Sequence, residues 1–166
     1  MLSSELPINI APPEFLRQLD AIEPGEYGTP CTIVLDDGRS LECCLAWENR
    51  RFGDKGSWIN PANVAYVTEC PKRLPAKLAR IIRAAGESGM GYHICVVQLS
   101  DGSDFVHVAG NLVIDLLDLP AGYTQRDVVG VLPHAGRDRS KTEGYRHVIK
   151  YESVEYCRSV GINERA

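Results

Sequence analysis

Six residues between positions 47 and 58 have the chemistry of a contact surface: Trp47, Arg50, Arg51, Phe52, Lys55 and Trp58. Aromatic rings supply flat apolar area, and arginine stacks on rings or forks onto anions. Interface centres and single-strand stacking platforms use this combination. We expect the segment to bind a partner; its competing reading is that the two tryptophans and Phe52 plug the end of a small sheet. A second run, Lys72, Arg73, Lys77 and Arg80, continues to Arg83 with no acid over residues 72–83. Its cations suit a phosphate or an acidic partner. Residues 84–125 then carry Glu87, Asp101, Asp104, Asp115 and Asp118 and no lysine or arginine, so charge is segregated along the chain.

Nucleophile and base types are present without a catalytic setting. His93 and His107 fall on the two arms of one expected hairpin, and His134, His147 and Cys157 lie in the last third. None sits in a strand–turn–helix elbow, and Gly86-Glu-Ser-Gly-Met-Gly91 follows a helix instead of leading into one, unlike a phosphate loop. Five of the six cysteines (Cys31, Cys43, Cys44, Cys70 and Cys95) fall in or beside expected strands, where a free thiol behaves as a small apolar group. No Cys-x-x-Cys pair occurs. No catalytic residue, metal ligand or cofactor is assigned.

The elements that carry these residues are expected twice. Shifted by 64 residues, Cys31-Thr-Ile-Val-Leu-Asp-Asp-Gly38 falls on Cys95-Val-Val-Gln-Leu-Ser-Asp-Gly102, and Asn63-Val-Ala-Tyr-Val67 on Asp127-Val-Val-Gly-Val131. Residues 31–67 and 95–131 share seven identities, where random pairing gives about two. Asp-Gly between apolar runs marks a tight hairpin. Upstream, Pro13-Glu-Phe-Leu-Arg-Gln-Leu19 and Pro75-Ala-Lys-Leu-Ala-Arg-Ile81 each open a helix-like segment on proline. Helices are expected at 13–22 and 75–85, and strands at 31–36, 39–47, 57–60, 64–70, 93–99, 104–109, 112–117 and 128–132. Residues 136–144 read as a loop; the tail stays open between strand and helix over 145–160, with 145–151 suited to a strand and Ser153 able to cap a short helix over 154–160.

Helix, hairpin, third strand, short turn and final strand resemble a small bent barrel of the SH3-like or Sm-like kind. The turn phrase Trp58-Ile-Asn-Pro-Ala-Asn-Val64 and the leading helix carry the likeness. The expected fold is α+β and mainly β, with two tandem small SH3-like or Sm-like β-barrel units, each preceded by a short helix. Residues 1–72 form one unit and 73–166 the other, packed as one body. Neither copy carries an Arg-Gly pair ahead of its last strand, which argues against the uridine binding that the Sm resemblance implies.

A net charge of −4 disfavours a dedicated nucleic-acid binder. The N-terminus lacks the basic start and apolar run of a signal peptide, and no apolar stretch is long enough to span a membrane. The expectation is a cytoplasmic, non-enzymatic binding or adaptor protein acting through protein–protein contacts, with a homodimer as one form of that contact. The alternatives are a nucleic-acid-binding Sm-like protein and a small enzyme of unknown class.

Overall fold

The computed structural model describes residues 9–48, 58–147 and 150–158. In chain order its elements are α1 (Pro13–Asp20), β1 (Thr29–Leu35), β2 (Ser40–Glu48), β3 (Trp58–Ile59), a 3₁₀ turn (Pro61–Asn63), β4 (Val64–Glu69), α2 (Ala76–Ala84), β5 (Tyr92–Leu99), β6 (Asp104–Gly110), a 3₁₀ turn (Gln125–Asp127), β7 (Val128–Pro133), α3 (Arg137–Thr142), β8 (Arg146–His147) and β9 (Glu152–Tyr156). The architecture is mixed and mainly β, with two sheets. The chain divides into two compact units, Met1–Glu69 with Tyr151–Ala166 and Cys70–Lys150. Among the described residues, no helix is long and apolar enough to cross a membrane.

The first unit holds a five-stranded sheet in the order β3-β9-β2-β1-β4, and the second a four-stranded sheet in the order β7-β5-β6-β8. Among the described residues each row is open, its two outer strands unpaired with each other, and neither sheet closes as a barrel. Both are built around one hairpin. Its Asp-Gly turn needs positive φ, which glycine adopts freely, and Gly38 and Gly102 sit at φ 86° and 87°. The last strand of each unit returns to pair antiparallel with the first, β4 on β1 and β7 on β5.

The correspondence reaches single hydrogen bonds. Leu35 N–H donates to the Arg39 carbonyl and Leu99 N–H to that of Ser103, both at 2.9 Å. Asp36 N–H donates to the Asn63 carbonyl at 2.9 Å, and Ser100 N–H to that of Asp127 at 2.8 Å. The register slips between Val34 and Leu35 in one ladder and between Gln98 and Leu99 in the other. Such an irregularity bends and twists a strand. Here it falls at the same place in both copies.

Helix and sheet share a core in each unit. In α1, Phe15 and Leu19 stand one turn apart and are buried with Cys31, Ile33 and Val67. In α2, Leu78 and Ile82 do the same with Cys95, Val97 and Val131. Burying side chains of this size is worth about 1.5–3 kcal/mol each. The N-caps are Pro12 and Pro75, both extended, so the helices correspond at an offset of 63 and Pro12, not Pro13, is the partner of Pro75.

Two expected elements differ, and the tail takes one of its two forms. Residues 152–156 form strand β9, not a helix, because Val154 and Tyr156 alternate into the core while the segment pairs parallel with β2. Residues 112–117 make turns instead of a third strand: Val113 N–H donates to Gly110 and Leu116 N–H to Val113, both at 3.1 Å. The expected loop contains α3, which buries none of its residues and so shows no apolar periodicity. It is laced by ion pairs Arg139–Glu143 and Lys141–Asp138 at helical spacing.

Candidate functional site

The aromatic and cationic segment divides at its ends. Trp47, on β2, is only 4% exposed, and its indole N–H donates to Ser153 Oγ of β9 at 3.3 Å. It belongs to a run of five buried residues, Cys43–Trp47, as suits a strand paired on both sides. Arg50, Arg51, Phe52 and Lys55 lie outside the described residues. Trp58 is half-buried and lines a cavity of about 360 Å³. Of the basic run, Arg73 is buried and Lys72 half-buried, while Lys77 and Arg80 are exposed on α2. Arg83, just beyond them, turns inward onto Asp115 at 2.5 Å.

The cavity around Trp58 lies between the β1–β2 hairpin tip and the 3₁₀ turn before β4. Leu35 and Ile59 give it an aliphatic floor, and Asp36, Asp37 and Arg39 come from the tip. Asn60 and Asn63 bracket the turn on its other side. The backbone bond from Asp36 to Asn63 holds tip and turn together. Asn60 Oδ1 caps the turn by accepting the Ala62 N–H at 2.9 Å. Asp37 accepts the Arg39 N–H at 3.0 Å and its Nε at 2.8 Å. These bonds, the backbone one first, hold the Asp37 carboxyl below the usual carboxylate range. Among the described residues, the carboxylate of Asp36, the amide of Asn63 and the indole of Trp58 make no hydrogen bond.

The same place in the second unit is closed. Tyr123 stands where the first unit has Ile59, and its hydroxyl donates to Asp101 Oδ2 at 2.5 Å. Ser103, in place of Arg39, donates to Asp101 Oδ1 through its hydroxyl at 2.6 Å and its N–H at 2.9 Å. Asp127, in place of Asn63, accepts from the Thr124 N–H at 2.7 Å and from Thr124 Oγ1 at 3.1 Å. The Ser103 hydroxyl first and Tyr123 second hold the Asp101 carboxyl down to about 2. Tyr123→Phe is therefore expected to raise the Asp101 pKa while Ser103 keeps it below the usual value of about 3.9, as read by carboxyl carbon-13 titration. The sign follows: a depressed carboxyl favours the folded state above its unfolded pKa, and that contribution fades as pH falls through about 2.

Two further cavities hold ion pairs of their own. The larger, about 570 Å³, is lined by Arg139 and Arg146. These already meet Asp104 at 2.7 Å and Asp118 at 3.1 Å. The other, about 450 Å³, contains Arg158, which bridges Asp20 at 2.6 Å and Glu48 at 3.0 Å.

The histidines and thiols are placed by the sheets. His107 stands opposite Cys95 and His93 opposite Ala109, so the two imidazoles are diagonal neighbours on adjacent strands. Neither lines any of the three cavities. Burial pushes the His93 pKa below the usual imidazole value, outweighing the Gly86 backbone, Asn111 and Glu87. It also pushes the thiols of Cys44 and Cys95 up to about 12 and that of Cys31 higher still. A thiol held protonated is a poor nucleophile and metal ligand. Among the described residues, no group of three or more His, Cys, Asp or Glu side chains is placed to hold a metal ion.

Sequence reasoning pointed to Trp58 and missed Asp36, Asn60 and Asn63. Their signal lay in the repeat itself, where Ile59 aligns with Tyr123 and Asn63 with Asp127. Compared with known proteins, the chain matches no family model, and no curated protein or solved structure is similar to it.

Proposed function

We propose that the protein is a non-enzymatic binding module acting through protein–protein contacts, with the cavity beside Trp58 as its contact centre. The observation that carries this reading is the disagreement between two otherwise superposable hairpin regions. One closes on itself through Tyr123, Ser103 and Asp101, while the other leaves a cavity of about 360 Å³ with an aromatic wall and exposed polar groups at its rim. Duplicated scaffolds keep the backbone they need to fold, and the copy that keeps a concave site with an aromatic wall and a few polar groups has the features of a contact site.

The same reading takes each unit as an opened-out relative of the SH3-like small barrel. Support comes from the leading helix, the Asp-Gly hairpin, the 3₁₀ turn, and the final strand that returns to the first. Support comes also from the strand added parallel to each hairpin, β9 on β2 and β8 on β6, in the slot a barrel's third strand would take.

The test is direct binding of a partner recovered by affinity capture on the full chain. Trp58→Ala is expected to weaken it at least tenfold, as truncation of an aromatic anchor does. Tyr123→Ala in the second unit should leave it unchanged. Equal affinity for wild type and Trp58→Ala, with both folded by circular dichroism, overturns the proposal.

A further inference from the structure

We infer that the cavity beside Trp58 takes a basic side chain, the guanidinium or ammonium group of a partner segment, lodged against the indole and the Asp36 carboxylate. This rests on the reading of that cavity as the contact site, and names what enters it.

Charge decides the sign of the ligand. The lining carries two carboxylates and one guanidinium, Asp36, Asp37 and Arg39. The guanidinium of Arg39 pairs with Asp37 through Nε at 2.8 Å, so Asp36 is the charge left over. The Asp36 side chain meets no cation among the described residues, although its backbone is pinned to Asn63 at 2.9 Å. A cation entering here meets a carboxylate with no competing cation beside it among the described residues.

Shape and hydrogen-bonding capacity agree with that sign. The ring of Trp58 lines the cavity and makes no aromatic or cation–π contact within the described structure; indole is the strongest of the aromatic faces for a cation. Leu35 and Ile59 offer aliphatic surface to the methylene stem of lysine or arginine, whose charged head stays at the polar end. The carbonyl oxygen of the Asn63 side chain is an open acceptor for the N–H groups that such a head carries in excess. Asn60 contributes little as an acceptor, because its Oδ1 caps the turn. In the second unit serine, Ser100, stands in place of Asp36, and the tip carboxylate that aligns with Asp37, Asp101, is already satisfied by two hydroxyls.

The experiment is a proton–nitrogen NMR titration of the full chain with four capped amino acids: N-acetyl-arginine amide, N-acetyl-lysine amide, N-acetyl-citrulline amide and N-acetyl-glutamate amide. The two cationic probes are expected to shift the Trp58 indole and Asn63 signals and to leave Tyr123 and Asp101 unmoved. Asp36→Asn, a near-isosteric change at an exposed site, should weaken them at least fivefold, and raised salt should weaken them further. Trp58→Phe keeps a ring in place and should weaken them less than Trp58→Ala. If citrulline, the neutral isostere of arginine, binds as tightly as arginine, the cation is not what the cavity reads. The inference then fails while the contact-site reading stands. Tighter binding of glutamate has the same consequence and transfers recognition to Arg39. If no probe moves the Trp58 indole, both readings fall.

Discussion

Asp115→Ala is expected to lower the free energy of unfolding by about 3 kcal/mol, the low end of the range for breaking a buried ion pair. Arg83 Nη2 lies 2.5 Å from Asp115 Oδ2, with the side chains 14% and 5% exposed. Removing the carboxylate leaves a guanidinium with little water to solvate it, and that stranded charge sets the cost. Arg83 keeps a bond to the Asn111 carbonyl at 3.2 Å and a thin edge in solvent, which is why the low end applies. The backbone bond from the Leu74 N–H to the Asp115 carbonyl at 2.9 Å is kept in the variant, so the loss belongs to the side chain. Denaturant titration of wild type, Asp115→Ala and the double variant Arg83→Met/Asp115→Leu checks the cause. The double variant, with neither charge left unpaired, should recover most of the loss. A single-variant loss under about 1 kcal/mol, or no recovery, would show that the pair is solvated in a way its burial does not suggest.

The same pair explains a limit on reading this fold from the chain. Ile114, Leu116 and Leu117 are all buried, and their run looked like a strand. A strand would have sent neighbours to opposite faces, whereas here Asp115 must reach Arg83 from within the run, and tight turns allow that. Likewise β9 was hidden because Ser153 is a good helix cap in isolation. Only its pairing with β2, a partner more than a hundred residues earlier, makes the Val154 and Tyr156 alternation decisive. The hairpins were legible for the opposite reason. Asp-Gly turns and their flanking apolar runs are local, and the positive φ of Gly38 and Gly102 is a requirement that few other residues meet.

For the candidate site, residue types along the chain were a weaker guide than the comparison of copies. Trp47 and Trp58 look alike in sequence, yet the first lies on a strand paired on both sides and the second precedes a turn at the sheet edge. Aromatic type alone carries no information about which is accessible. Position 59 does: isoleucine there cannot reach the hairpin carboxylates with a hydrogen bond, and tyrosine at 123 does so at 2.5 Å. This exchange, with those at 39/103 and 63/127, separates the two tips, and its meaning becomes clear only when the two turns are seen to share their backbone hydrogen bonds.

Acid is expected to remove about 3 kcal/mol of stability between pH 7 and pH 4, through His107. Its side chain is 1% exposed, and among the described residues neither ring nitrogen has a partner at ordinary hydrogen-bond distance and angle. Burial is the main reason its pKa falls from 6.5 to about 4. The neighbouring His147 pushes the same way, while the Arg146 backbone and Asp118 pull back. Cys95, across the ladder, is itself held protonated and adds no charge. Because the folded pKa lies below the unfolded one, the unfolded chain binds the extra proton between about 4 and 6.5. Stability is therefore full above 6.5 and is lost as pH falls toward 4, at 1.36 kcal/mol for each unit of difference. His93 is buried and shifted in the same direction, so it adds to the slope. The depressed carboxyls of Asp101 and Glu14 begin to lose their contribution only as pH falls through their unfolded values of 3.8 and 4.5, so the slope between pH 7 and 5 belongs to the histidines. His107→Leu separates the contributions: it removes two orphaned nitrogens, so stability at pH 7 should hold or rise, while the loss between pH 7 and 4.5 should shrink to the share of His93. An equally steep loss in that variant would mean that His107 takes up its proton without unfolding the sheet around it.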